Sequence, residues 1–124
     1  MTPYELRRLA SRKLAEATEL AVDADRLRAQ AAALQGLLEP IVPISQRVWT
    51  GPAADDFETQ VRSYSHQVNE QSAQLTRIAA GFDDEAARLR RESGMLRAQA
   101  SVAEAEAAAA AAGAPLTVVP RGVN

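Results

Sequence analysis

Large apolar residues return every seven positions along most of this chain, and that period decides most of what it can fold into. In the first half, one position of the repeat reads Leu6, Lys13, Leu20, Leu27, Leu34, Ile41, Val48, and its partner reads Ala10, Ala17, Ala24, Ala31, Leu38, Ser45. In the second half the repeat gives Ala54, Val61, Val68, Leu75, Phe82, Leu89, Leu96. Two turns of α-helix take about seven residues, so such a series lines one helix face. No stretch alternates with period two for long enough to make a strand. The pattern predicts an all-α chain of two long amphipathic helices. Leu at one seam position and mostly Ala at the other favours close helix approach.

The punctuation sets the boundaries. Thr2-Pro3 supplies a cap candidate and a proline for the first helical position, with Glu5 near the positive end of the helix dipole. Helix one is expected over about 3–48. Pro40 and Pro43 leave two readings there: a kink near 40–43 eased by Gly36, or a clean end at Glu39. A turn at 49–51 follows. Gly51 is a candidate N-cap and Pro52 a first helical residue, with Asp55 and Asp56 placed to favour the dipole. Helix two is expected over about 52–100, with a second seam position Phe57, Tyr64, Gln71, Ile78, Glu85, Glu92, Gln99 that turns polar after Ile78. An Ala-rich, frayed extension reaches 112, where Gly113-Ala114-Pro115 ends it and 113–124 reads as a flexible tail. The domain is thus 1–112.

Two helices meet along a line, whereas each of these stripes is wide enough to touch more than one neighbour. Aromatic residues make up only 4% of the 124, so no thick globular core can be built around them. Half-exposing a dozen residues worth about 1.5–3 kcal/mol each would forfeit as much as a whole fold's stability. The expectation is an antiparallel helical hairpin that dimerises into a four-helix bundle, with a second copy or a relative as partner. The seam would comprise Leu20, Leu27, Leu34, Leu38, Ile41, Val48, Val61, Tyr64, Val68, Leu75, Ile78 and Phe82.

The formal net charge is −2, which gives no field of one sign to draw nucleic acid or anionic lipid. Cysteine is absent and there is a single histidine, His66, on the solvent side of the register; no metal or cofactor site is expected. Arg7, Arg8, Arg12 and Lys13 are not followed by an apolar core, so the opening residues do not read as a Sec-type signal. The longest apolar run, Ala107 to Ala112, is far short of the ~20 residues that span a bilayer, and no membrane insertion is expected. No nucleophile–base pair or phosphate loop appears, so the chain does not read as an enzyme. Asp55-Asp56 is explained by a helix start, and Asp83-Asp84-Glu85 by a solvated face. The basic groups Arg7-Arg8-Arg12-Lys13 and Arg88-Arg90-Arg91-Arg97 would come near each other if the hairpin closes at the turn.

The run Trp49-Thr50-Gly51-Pro52-Ala53-Ala54-Asp55-Asp56-Phe57 lies between the helices and holds the only tryptophan. It resembles the WXG superfamily, the small early-secreted-antigen-like proteins of type VII (ESX) secretion. The resemblance spans about Leu6 to Leu96, with those nine residues as its sharp part. It implies a non-enzymatic hairpin that pairs with itself or with a second WXG-type protein. Such a protein leaves the cell folded, by a signal-peptide-independent route, through a secretion ATPase. By position, Trp49 and Gly51 would form the turn half of the export surface, with Pro52 and Phe57 packing at the turn. The family's second signal, Tyr-x-x-x-Asp/Glu after helix two, is missing: Tyr4 precedes Arg8 and Tyr64 precedes Val68 at that spacing. A cytoplasmic helical adaptor without an export role is the alternative.

Overall fold

The computed structural model describes residues 1–40 and 50–123, with side chains as far as Gly113. Two α-helices account for nearly all of it: α1, Pro3–Gly36, and α2, Pro52–Val123. No strand occurs among the described residues, in accord with the absence of period-two patterning. The chain divides into two compact units. One joins Met1–Thr18 with residues from Ala86 onward, and the other is Glu19–Glu85. Within each, a stretch of α1 packs antiparallel on a stretch of α2.

The caps follow local chemistry. Thr2 Oγ1 accepts from the Glu5 amide at 3.1 Å, and the Thr2 carbonyl accepts the first helical bond, from Leu6, at 2.9 Å. Gly51 does the same for α2 through its carbonyl, which accepts from Asp55 N at 3.1 Å. Its φ of 107° lies where L side chains are strained, while the space around it is open; backbone conformation, not crowding, calls for glycine. Pro52 then enters the helix with the amide it lacks being one the first turn leaves unused.

Two boundaries differ from the sequence expectation. Helix one stops at Gly36 and does not run to about 48. Pro40 has no N–H to donate to the Gly36 carbonyl, and its ring crowds that carbonyl. The chain tightens instead into three successive i to i+3 bonds, from Leu37, Leu38 and Glu39 to Leu34, Gln35 and Gly36. The expected kink near 40–43, Ile41, Val48 and Trp49 of the turn lie largely outside the described residues. Helix two, in turn, continues past 100, past the Ala-rich extension to 112 and through Gly113-Ala114-Pro115 to Val123, where a tail of 113–124 was expected. Eight alanines and two glutamates over Ala103–Ala112 have the strongest helix propensities, and propagation adds one bond per residue once a helix exists.

The packed seam is made of small residues. In the first unit Leu6, Ala10 and Ala17 of α1 are buried with Ala86, Leu89, Ser93 and Ala100 of α2. In the second, Ala24 and Ala31 are buried with Ala54, Val68, Ser72 and Ala79. No large side chain among the described residues is fully buried. Two serines show how near the backbones come. Ser93 Oγ donates to the Ala10 carbonyl at 2.9 Å, and Ser72 Oγ to the Ala31 carbonyl at 3.2 Å. A hydroxyl one bond beyond Cβ reaches a facing backbone only when the helix axes lie toward the short end of the usual ~8–10 Å.

Within the chain, helix two makes this contact through another pair of positions than the aromatic series. The buried partner of the Val61–Leu96 series is the residue four later: Ser65, Ser72, Ala79, Ala86, Ser93, Ala100, with Ser65 half-buried and the rest buried. The series three later, taken as the seam from its aromatic members, lies on the flank. Tyr64 is 37% exposed and Ile78 48% exposed. Both helices therefore use one rule, a large residue followed four positions on by a small one, since Leu20–Ala24 and Leu27–Ala31 have the same spacing. Small residues win the centre because only they let two helix backbones approach closely.

Candidate interaction surface

Of the expected seam residues that are described, only Val68 is buried. Leu20, Leu27, Leu34, Leu38, Val61, Leu75 and Phe82 are half-buried. They sit beside the small-residue contact and cover it with one side of each side chain. At the turn, Phe57 is half-buried and Pro52 exposed.

Helical geometry puts the residue three after a half-buried Leu about 60° further from the seam. In an antiparallel pair, corresponding flanks of the two helices open on the same side. In the Glu19–Glu85 unit that side is apolar. An open cleft of about 370 Å³ is lined by Gln30, Ala33, Leu34 and Leu37 of α1 and Leu75 of α2. Leu37 is 51% exposed, and Ile78 lies one turn from Leu75 on the same flank. Tyr64 occupies the same position of the repeat two heptads earlier. The polar residues interspersed on that flank of α2 are amides, Gln60, Gln67, Gln71 and Gln74. An apolar strip edged by neutral amides has the composition of an interface core, from which charge is depleted.

In the first unit the flanks are clasped by charge. Arg7 Nε and Nη2 grip both carboxylate oxygens of Glu104, at 2.8 and 3.1 Å, and Nη2 also donates to Ser101 Oγ at 3.3 Å. Lys13 Nζ donates to Glu92 Oε2 at 2.9 Å, and Arg88 joins the same carboxylate. Lys13, the one polar residue in the large-residue series of α1, is thereby placed: its stem fills a seam position while its ammonium reaches Glu92. These bonds stabilise the ionised forms. The hydrogen bond from Lys13 holds the Glu92 carboxyl below the ordinary range against the opposing cost of burial, and the bond from Arg7 does so for Glu104. The same bond raises the Arg7 guanidinium. In the second unit, Arg28 bonds Asp83 on the facing helix and Asp25 on its own, and Gln35 donates to Asn69 Oδ1 at 2.9 Å.

The fold also sorts charge, a feature the sequence read linearly conceals. Residues 1–18 and 86–124 carry nine basic side chains against five acidic, whereas 19–85 carry five against eleven. The units have formal charges of +4 and −6, which together give the −2 of the chain.

Chemistry-bearing clusters are not what these surfaces offer. Among the described residues no three of His, Cys, Asp and Glu are grouped to hold a metal, and no buried side-chain polar atom lacks a partner. His66 is exposed. No helix, among the described residues, is long and apolar enough to cross a membrane. Comparison with protein-family models, with curated proteins and with solved structures finds no match.

Proposed function

We propose that the chain is a non-enzymatic helical pairing protein of the WXG type. In this reading it serves type VII secretion as a substrate or as the partner of one, and its apolar flank takes a second hairpin. The observation that carries the pairing is the strip of Leu34, Leu37, Tyr64, Leu75 and Ile78, in which Leu37, Tyr64 and Ile78 are 51%, 37% and 48% exposed beside a seam too thin to cover them. Support for the export part is narrower. It rests on the nine residues from Trp49 to Phe57, in which Gly51 takes a left-handed φ and starts a long helix directly after Trp49-Thr50.

Co-expression with small helical proteins encoded nearby, followed by size-exclusion and cross-linking, tests pairing; a chain that stays folded and alone refutes it. Export is tested in a host with a type VII system. Trp49→Ala should leave pairing intact and remove the protein from the culture filtrate. The absence of Tyr-x-x-x-Asp/Glu favours a second reading, a cytoplasmic adaptor. Equal retention of wild type and Trp49→Ala inside the cell, with pairing preserved, would establish it.

A further inference from the structure

We propose that the flank carrying Arg90 and Arg97 docks an acidic amphipathic helix of another protein, one whose carboxylates recur every seven residues. This surface is separate from the apolar flank. It lies wholly within the unit that joins Met1–Thr18 with residues from Ala86 onward.

The seam fixes where each side chain stands. The residue three before a seam position and the one four after it share a flank, about 40–60° off the contact. Around Ala10 these are Arg7 and Leu14, and around Ser93 they are Arg90 and Arg97. The hydrogen bond from Ser93 to Ala10 sets those two level, so antiparallel return puts Arg97 beside Arg7 and Arg90 beside Leu14. Arg7 reaches Ser101 and Glu104 along this same flank. Charge is sorted across the unit. By the same geometry Glu5, Glu16, Glu92 and Glu106 fall on the other side, where Lys13 and Arg88 already share Glu92. Glu104, the acid on this side, is gripped by Arg7. Arg90 and Arg97 are exposed, and neither forms an ion pair with a described residue.

Spacing and chemistry together specify the partner. Two arginines seven residues apart on one helix stand about 10 Å apart, the interval at which a second helix repeats its own face. Guanidinium forks take carboxylates bidentately, which adds direction to charge. Leu14 is 41% exposed and offers apolar contact beside Arg90. That suits a leucine set among the glutamates of a helix, and gives nothing to a phosphate chain.

The test is fluorescence anisotropy on the full chain at about 50 mM salt, where screening is weak. The probe is a labelled synthetic helix of about three heptads with Glu at every seventh position and Leu one turn away. It should bind, and Arg90→Ala and Arg97→Ala should each weaken binding about tenfold while circular dichroism shows full helicity. Arg12→Ala removes the same charge from the outward face of α1 and should leave binding within about twofold. A scrambled peptide of equal charge that binds as tightly, or an equal loss from Arg12→Ala, overturns the proposal by reducing it to net charge. Single-stranded DNA that displaces the peptide through the same two arginines overturns it in favour of a phosphate chain. Absence of binding overturns it outright. Pairing through the apolar flank is untouched by these results, since Leu37 and Ile78 belong to the other unit.

Discussion

The two units use the same seam rule, yet they finish their flanks differently. In residues 1–18 and 86–113 the large seam residues Leu6 and Leu89 are 9% and 5% exposed, and Arg7, Lys13 and Arg88 clasp acids across or along the helices. In residues 19–85 the corresponding Leu20, Leu27, Leu34 and Leu75 are only half-buried, and Leu37, Tyr64 and Ile78 stand open. Charged stems that cross a flank also shield the apolar atoms beneath them. In the second unit Arg28 reaches Asp83 across the opposite flank, and the flank of Leu37, Tyr64 and Ile78 carries glutamines, leucines and a tyrosine instead. One unit has this flank bridged by charge, and the other leaves it apolar and open.

The sharpest way to break this contrast is to truncate one large seam residue in each unit. Leu89→Ala should cost about 2–5 kcal/mol in a urea titration, and Leu34→Ala about half as much, because it covers less surface to begin with. Equal costs in the monomer would deny that the units differ. Next in size, Ala10→Leu and Ala24→Leu force bulk between closely approached helices at fully buried positions. Each should lower stability by about 1–3 kcal/mol, read as a fall in melting temperature. Gly51→Ala should cost about 1–2 kcal/mol, since a Cβ must enter a left-handed backbone, although no neighbour obstructs it.

Acid separates the units more gently. Because Glu92 and Glu104 are held below their ordinary range, the stabilisation from their bonds is complete above the unfolded carboxylate value. It is lost as pH falls through the depressed folded values. Helicity in the clasped unit should weaken below about pH 4, and Arg7→Ala should flatten part of that pH dependence with little effect at neutral pH, where solvent screens the pair. Smallest of all, Tyr64→Ala and Ile78→Ala should leave the isolated chain within about 0.5 kcal/mol of wild type. The same two substitutions should weaken pairing, which sedimentation measures; a large loss of stability in the monomer would mean that the flank is already covered.

Much of this was legible beforehand. The helices, their starts at Thr2-Pro3 and Gly51-Pro52, the Ala series of α1 and the exposure of His66 follow from local chemistry. The intrachain contact of α2 is not legible from size alone, because Phe57, Tyr64 and Ile78 are large and apolar yet flank it. Applying the four-residue spacing of Leu20–Ala24 to Val61 would have found Ser65 and its successors. The serines themselves gave little signal, since a hydroxyl looks like surface until a carbonyl such as that of Ala10 faces it.

By itself, the sequence determined which segments are helical and roughly which third of each helix is apolar, because those preferences act within a few residues. Only the tertiary structure decided which side of that stripe is the contact, since three and four residues along a helix differ by about 100° and the choice depends on how closely a partner backbone can come. That arginines some eighty positions apart share one unit already follows from a hairpin's antiparallel return; the sorting of net charge, +4 against −6, needed the unit boundaries that packing alone sets.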